Sequence, residues 1–247
     1  MKSVEFVALL CEKYAKKEEY ESMRNTIPMG LDSSGNPVFA RREETSFSFR
    51  HVAVTGAYKT AFIRRLLLTL SRFYTEGEAC FFVLSPRQDY GELVRVQAMD
   101  VTVPYIRDKA DFEACICTLK TLLESRGEGR AYPKLVLVLD GIEDLEGCNK
   151  NADLEEYRDV FSLLMRRKDV DVITGAELTK SIFSGYPATF VGDKNCLVAT
   201  REQGKADVTY FDNGETTGFP LPISYPSQPS FTETVLLFNS QAKSREL

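Results

Sequence analysis

Short apolar runs alternate with amphipathic segments through most of the chain. Runs rich in β-branched and aromatic residues predict strands at 49–54, 79–84, 135–139, 170–174, 190–199 and 208–211. Apolar side chains recur at helical spacing over 60–74, 109–125 and 153–167, and a shorter helix is predicted at 179–184. Because strands that alternate with helices usually pair in parallel, the pattern predicts an α/β fold. We expect a mostly parallel central sheet flanked by helices.

The two ends of the chain follow other patterns. Residues 4–23 predict a charged amphipathic helix, and 27–39 predict a hairpin around an Asp-Ser-Ser-Gly-Asn-Pro turn. Residues 218–229 are rich in proline and predict an extended tail, followed by an edge strand at 234–238. The expected organisation is an N-terminal helix (1–25), one α/β domain (26–215) and a proline-rich C-terminal extension (216–247).

Composition narrows the class of protein. The 247 residues are 43% apolar and 27% charged, with a net charge of −5. These values are typical of a globular protein, and the acidic balance argues against a chain that coats nucleic acid. The N-terminus lacks a signal-peptide cleavage site, and no apolar run is long enough to span a bilayer. We therefore expect a cytoplasmic protein that reaches a membrane only through a partner.

The cysteines do not predict a metal site. There are six, they are scattered without a Cys-x-x-Cys pair, and His51 is the only histidine. This spacing disfavours zinc and favours buried, reduced thiols.

The turn after the 49–54 run resembles part of a phosphate-binding loop. The full pattern, G-x-x-x-x-G-K-[ST] between a strand and a helix, wraps backbone N–H groups around phosphate, and its hydroxyl binds Mg²⁺. Here Lys59 and Thr60 end the pattern and Gly56 is retained, but Tyr58 and Ala53 occupy its two glycine positions. Gly56, Lys59 and Thr60 are therefore candidate nucleotide-binding residues. The alternative is an ordinary helix start with a surface lysine.

The run LVLVL, which ends at Asp140, predicts the second half of such a site. In nucleotide-binding sheets an aspartate at this place holds Mg²⁺, so Asp140 and Thr60 are the candidate metal residues. Hydrolytic enzymes usually place a glutamate next, but here Gly141 follows, with Glu143 and Asp144 one turn further on. Taken alone, an apolar strand that ends in aspartate is common in any α/β protein. No catalytic residue is assigned.

The order of these features resembles the FtsK/SpoIIIE superfamily of DNA and protein translocase ATPases, and in particular the degenerate ATPase modules of type VII secretion (EssC-like) proteins. The resemblance covers roughly residues 27–200 and rests on four stretches. They are IPMGLDSSGNPVF at 27–39, HVAVTG at 51–56, Ser-Pro-Arg at 85–87 with Glu92-Leu93, and LVLVLDGIEDL at 135–145. It implies a RecA-like P-loop NTPase fold of three layers.

The departures from the family are equally specific. The loop between His51 and Lys59 is about three residues shorter than the family pattern. Gly141 replaces the catalytic glutamate, and Ser85 replaces the aspartate of Asp-Pro. Gly175-Ala176-Glu177 stands where the family has its polar sensor. The resemblance thus implies a pseudo-ATPase with a structural, docking or regulatory role, in which binding of ATP and Mg²⁺ is weak or lost.

Two other hypotheses stay open at this stage. One is an active DNA or protein translocase motor with a non-standard site, in which Glu143 or Asp144 acts as the base. The other is an unrelated α/β binding domain. The resemblance implies other FtsK-like modules or further copies of the chain as partners, with a secretion substrate or DNA as cargo.

The basic residues of the chain can be explained without contact to DNA. The candidate basic positions are Arg64, Arg65, Arg72, Arg166, Arg167, Lys168 and Arg201. They do not form a basic cluster with interleaved aromatic residues, so a solvated surface is the simpler interpretation.

Overall fold

A single sheet organises the part of the chain that the computed structural model describes. The described residues are 27–40, 51–71, 74, 77–96, 99–126, 133–142, 160, 164, 167, 169–175, 195–212, 215–216 and 219–226. Among them, eleven strands belong to this sheet. In chain order they are β1 (Ile27–Leu31), β2 (Pro37–Ala40), β3 (His51–Thr55), β4 (Ala79–Leu84), β5 (Asp100–Thr102), β6 (Lys134–Asp140), β7 (Val170–Gly175), β8 (Asn195–Glu202), β9 (Lys205–Asp212), β10 (Glu215–Thr216) and β11 (Leu221–Ser224). Ten of these strands follow in the order β2-β1-β11-β9-β8-β3-β7-β6-β4-β5, and β10 pairs with β9.

Six neighbouring strands form the parallel part of the sheet, which confirms the predicted mostly parallel sheet; the sequence predicts five of them and misses the short strand at 100–102. They are β3 (His51–Thr55), β4 (Ala79–Leu84), β5 (Asp100–Thr102), β6 (Lys134–Asp140), β7 (Val170–Gly175) and β8 (Asn195–Glu202). Pairing is parallel throughout the order β8-β3-β7-β6-β4-β5. Every residue of β6 is buried, which explains why this strand reads as a continuous apolar run.

Among the elements that the structure describes in full, two helices and a 3₁₀ segment connect parallel strands along the chain. Helix α1 (Lys59–Leu70) follows β3, a 3₁₀ segment (Gln88–Arg95) follows β4, and helix α2 (Lys109–Ser125) follows β5. Helix α2 begins with a regular cap, because the Asp108 carboxylate accepts a hydrogen bond from the Asp111 N–H at 3.0 Å. Tyr58 precedes α1, and its side chain makes no such capping bond within the described residues.

The side chains of the parallel strands alternate between two apolar cores. Phe81 and Val83 of β4 pack with α1, whereas their neighbours Phe82 and Leu84 pack with α2. The same alternation divides β6 between the two faces. A helix therefore covers each face of the sheet, which gives the predicted three layers.

The remaining strands extend the sheet in antiparallel fashion. The predicted hairpin is confirmed as β1 (Ile27–Leu31) and β2 (Pro37–Ala40). In its turn, Asp32 Oδ1 accepts hydrogen bonds from the N–H groups of Ser34 and Asn36 at 2.9 and 2.8 Å. On the other side, β9 (Lys205–Asp212) pairs with β8 and with the short β10 (Glu215–Thr216).

The proline-rich segment contains a strand that the sequence does not predict. Strand β11 (Leu221–Ser224) lies between β1 and β9 and pairs with both. Ile223 and Tyr225 alternate inward and are buried, and proline content hides this short alternation. At Gly30 a Cβ would lie 2.5 Å from the Ser224 carbonyl oxygen, so only glycine allows β1 to approach β11 this closely. The domain boundaries themselves stay predictions.

Several predicted elements cannot be compared with the structure. The helices at 4–23 and 179–184 and the strand at 234–238 lie outside the described residues, as does most of the helix at 153–167. Among the helices that the structure does describe, none is both long enough and apolar enough to cross a membrane.

The four described cysteines are free thiols. Their burial differs, however. Cys196 is fully buried, and burial raises its pKa to about 12. Cys117 is exposed on α2, so the expectation that it is buried is wrong. Its apolar neighbours in sequence lie on the other faces of the helix.

Candidate functional site

The first turn of α1 and the end of β6 meet at the carboxyl edge of the parallel sheet. We use the name carboxyl edge for the side at which the six parallel strands end. Thr60 Oγ1 donates a hydrogen bond to Asp140 Oδ2 at 2.6 Å. These two residues are 80 positions apart in the sequence, and both are predicted metal residues. The structure brings them together, whereas the predicted substitute bases Glu143 and Asp144 lie outside the described residues.

Tyr90 is the third member of this cluster, and sequence reasoning missed it. It lies in the 3₁₀ segment after β4, is fully buried, and donates its hydroxyl hydrogen to Asp140 Oδ2 at 2.8 Å. Burial, followed by the charge of Asp140, raises the pKa of Tyr90 well above its ordinary value. The hydroxyl therefore stays protonated and acts as a donor. Its position after a parallel strand is the one sequence signal that points to this edge.

Asp140 is fully buried, and its two oxygens have different surroundings. Oδ2 accepts both hydroxyl hydrogen bonds, from Thr60 and Tyr90. Oδ1 has no hydrogen-bond partner within the described chain. It lies against Gly175 so closely that a Cβ on that glycine would be 2.1 Å away.

Burial has the largest influence on the pKa of Asp140. It raises the pKa of this carboxyl, while the hydrogen bonds from Thr60 and Tyr90 and the charges of Arg87 and Lys59 act in the opposite direction. A buried carboxylate with a raised pKa is typical of functional sites, although structural networks shift pKa values too.

The loop before α1 folds into a tight turn that is fixed to β8. Gly56 has a φ of 97°, and a Cβ there would lie 2.3 Å from the carbonyl oxygen of Thr200. Thr200 Oγ1 donates to the Thr55 carbonyl at 2.8 Å and accepts from the Tyr58 N–H at 3.3 Å. The Lys59 N–H donates to the Gly56 carbonyl at 3.3 Å. The N–H groups of Tyr58 and Lys59 thus have partners within the protein.

The two side chains that follow Gly56 and Ala57 point into different surroundings. Tyr58 is 40% exposed, whereas Lys59 is 5% exposed. The alternative of a surface lysine at an ordinary helix start is therefore wrong. Because Lys59 lies at the carboxyl edge near Asp140, the structure also gives no support to an unrelated α/β domain with Lys59 elsewhere.

Most of the described basic positions are paired or buried. Arg64 and Glu92 form an ion pair at 3.4 Å, and exposed Arg201 pairs with Asp207. Arg65 is buried, and burial together with neighbouring Arg64 lowers its pKa to about 10. Arg72, Arg166 and Lys168 lie outside the described residues. A DNA-binding surface therefore stays a prediction.

The residues present do not fit Mg²⁺ in this arrangement. A hexacoordinate Mg²⁺ needs oxygen ligands about 2.0–2.1 Å away and usually keeps several waters. Thr60 Oγ1 and Asp140 Oδ2 are joined directly, Tyr90 takes the same oxygen, and Oδ1 faces the Gly175 backbone. Within the described residues, no group of three or more His, Cys, Asp or Glu residues is placed to hold a metal.

Comparison with known proteins adds the fold class. No protein-family model matches the sequence, and no curated protein matches it. The fold, by contrast, is that of P-loop ATPase domains, with a mostly parallel sheet between helical layers.

Two solved structures carry this comparison. One is the cytoplasmic domain of the type VII secretion ATPase EccC from Thermomonospora curvata, with a TM-score of 0.61 and 12% identity over 83% of the present chain. The other is EssC (ATPases 2 and 3) from Geobacillus thermodenitrificans, with a TM-score of 0.52 and 14% identity over 90% of the chain. The chain spans 26% of the first structure and 48% of the second. The structural resemblance to type VII secretion ATPase domains therefore agrees with the one stated from sequence.

Proposed function

We propose that this chain is an FtsK/SpoIIIE-like pseudo-ATPase module that serves a structural, docking or regulatory role in a protein-secretion machine. The proposal rests on one observation, which is that hydrogen bonds within the protein already occupy the carboxyl edge. We call this edge closed. The N–H groups of Tyr58 and Lys59 already have partners within the protein, and Asp140 Oδ2 accepts hydrogen bonds from two hydroxyl groups. A phosphate-binding loop needs free N–H groups that converge on the ligand.

Gly141 supports the same proposal. It follows Asp140 at the place where hydrolytic members carry a glutamate, and it has a φ of 69°. A left-handed backbone of this kind favours glycine and disfavours a glutamate side chain. Hydrolysis would therefore lack both its phosphate loop and its base.

The two structural matches support a role as one module among several. The chain corresponds to about a quarter of the EccC structure and about half of the EssC structure. The proposed partners are other ATPase modules or further copies of this chain, with a secretion substrate or DNA as cargo. The proposed location is the cytoplasm, with membrane association through a partner.

A phosphate-release assay with ATP and Mg²⁺ tests the proposal, with Lys59→Ala as the variant of the candidate site. Lys109→Ala is the matched control, since Lys109 also begins a helix but lies in α2. We expect no release above background for the wild type and both variants. Release by the wild type that Lys59→Ala abolishes and Lys109→Ala preserves would overturn the proposal.

One observation favours the alternative of an active motor. Lys59, Thr60 and Asp140 lie together at the carboxyl edge even though the loop departs from the family pattern. If the edge opens on binding of a partner or DNA, Glu143 or Asp144 would serve as the base. The same assay repeated with DNA and with purified neighbouring modules decides between the two.

A further inference from the structure

The contact between Tyr90 and Asp140 occupies the carboxylate oxygen that a hydrated cation would use. Tyr90 is one of the largest fully buried side chains, and its ring extends from the 3₁₀ segment to the end of β6. Its hydroxyl lies 2.8 Å from Asp140 Oδ2. That is the distance at which a water of a hydrated cation would donate to the same oxygen.

The hydrogen-bond capacity of Asp140 leaves little room for a cation. Each carboxylate oxygen has two lone pairs, and Oδ2 uses both for the hydroxyls of Thr60 and Tyr90. Oδ1 is buried and would lie 2.1 Å from a Cβ on Gly175, a position that Ile63 Cδ1 also approaches. A cation or its water ligand can therefore reach Oδ2 only if the Tyr90 side chain moves.

The segment that carries Tyr90 is attached to α1 and to its own strand. Arg64 of α1 and Glu92 of the 3₁₀ segment form an ion pair at 3.4 Å. Upstream, Ser85 Oγ accepts a hydrogen bond from the Arg87 N–H at 3.2 Å. The Tyr90 hydroxyl is thus held at Asp140 by contacts on both sides of it in the sequence.

We propose that Tyr90 is the residue that excludes divalent cations from Asp140 and Thr60, by holding its hydroxyl where a cation's water ligand would lie. The exclusion acts without nucleotide, so the inference does not depend on the pseudo-ATPase proposal. In the wild type, Thr60, Tyr90 and Asp140 form a metal-free hydrogen-bond cluster that joins α1, the 3₁₀ segment and β6.

Shortening Tyr90 tests the inference. In Tyr90→Leu the outer part of the ring and the hydroxyl are removed, which leaves a space lined by Asp140 Oδ2 and Thr60 Oγ1 that water can enter. We expect Tyr90→Leu to bind Mn²⁺ about tenfold or more tightly than the wild type, with a dissociation constant of roughly 0.1–1 mM. The measurement is the free-Mn²⁺ signal in electron paramagnetic resonance, in the absence of nucleotide.

A double variant identifies the ligand. Tyr90→Leu combined with Asp140→Asn is expected to lose the gained Mn²⁺ binding, because the amide is a poor ligand for this cation. Equal Mn²⁺ binding by the wild type and Tyr90→Leu would overturn the inference, and so would a gain that persists in the double variant. The phosphate-release assay above tests the pseudo-ATPase proposal separately, since it depends on nucleotide.

Tyr90→Phe keeps the inference testable if Tyr90→Leu does not fold. This change keeps the ring and removes only the donor to buried Asp140. We expect the melting temperature to fall by about 3–10 °C, while exposed Tyr105 changed to Phe leaves it unaltered. An unchanged melting temperature for Tyr90→Phe would show that the hydroxyl is not bonded to Asp140, and would overturn the inference.

Discussion

At the amino edge of the parallel sheet, where its strands begin, the buried carboxylates have cationic partners. Lys134 Nζ of β6 lies 2.7 Å from Asp171 Oδ2 of β7. Beside this pair, Arg167 contacts Asp169 with two nitrogens, both at 2.9 Å. At the carboxyl edge of the same strands, buried Asp140 accepts only hydroxyl hydrogen bonds from described residues, and its Oδ1 has no described partner.

The two edges differ in whether a cation pairs with the buried carboxylate. In a buried ion pair each charge offsets part of the desolvation cost of the other, whereas a buried carboxylate without a cationic partner destabilises the fold unless it is protonated. The amino edge is arranged for stability. The carboxyl edge retains a buried carboxylate next to Thr60 and Lys59, and burial raises the pKa of that carboxyl. We interpret this arrangement as the closed nucleotide site of the proposed function.

The largest effect is expected at the amino edge. Replacing Lys134 with Met leaves the Asp171 carboxylate buried without its cation, and we expect a loss of about 3–5 kcal/mol in the free energy of unfolding. Urea unfolding followed by circular dichroism measures it. The double variant with Asp171→Leu should regain most of the loss. A loss under about 1 kcal/mol for Lys134→Met would contradict the contrast.

The next effect is steric and lies at the carboxyl edge. In Gly175→Ala the new Cβ would lie 2.1 Å from Asp140 Oδ1 and 2.8 Å from Ile63 Cδ1. We expect a destabilisation of about 1–3 kcal/mol from this overpacking. Gly91→Ala is the matched control, because nothing lies within 4 Å of the Cβ it would add. If both variants unfold at the same urea concentration, Asp140 does not pack against Gly175 as described.

The pH dependence of stability tests the burial of Asp140. Because burial raises the folded-state pKa of this carboxyl above its ordinary value, the ionised form destabilises the fold above that pKa. As pH falls through the folded-state pKa, the destabilisation disappears. The groups that face the carboxyl are Thr60 and Tyr90 as donors, with Lys59 and Arg87 as nearby charges.

Comparison with Asp140→Asn isolates this titration from all others. We expect the stability of the wild type relative to Asp140→Asn to increase on acidification, measured by urea unfolding from neutral pH to about pH 4. A relative stability that decreases on acidification would mean that the pKa of Asp140 is lowered, and that a cation or donor compensates its charge.

The smallest effect is expected in the loop before α1. Thr200→Val removes the hydroxyl that accepts from the Tyr58 N–H and donates to the Thr55 carbonyl. We expect a destabilisation of about 1 kcal/mol and faster hydrogen exchange at the Tyr58 amide. Thr200→Ser keeps the hydroxyl and should resemble the wild type. Unchanged exchange in Thr200→Val would mean that the turn does not depend on β8.

The sequence predicts five of the six parallel strands because a strand that is buried on both faces is a continuous apolar run, such as the one before Asp140. It predicts α1 because apolar side chains recur there at helical spacing. Lys59, Thr60 and Asp140 are predicted as site residues because the first two follow a strand and the third ends one, in the order and spacing of the family. Strand β11 was missed because its proline content obscures a two-residue alternation of buried side chains.

The hydrogen bonds that occupy Asp140 and fix the turn before α1 could not be predicted from the sequence. Tyr90 and Asp140 are 50 positions apart, and Tyr58 and Thr200 are 142 apart. Each contact depends on which strands become neighbours and on the register between them. No local pattern distinguishes a tyrosine that reaches a carboxylate from one that only fills the core.

Calorimetric titration of ATP·Mg²⁺ into the wild-type chain tests most directly whether the carboxyl edge is closed. A closed turn at Gly56–Lys59 and an occupied Asp140 predict no saturable heat of binding. Saturable micromolar binding that disappears in Lys59→Ala would contradict the closed edge and show that this chain binds nucleotide at the candidate site.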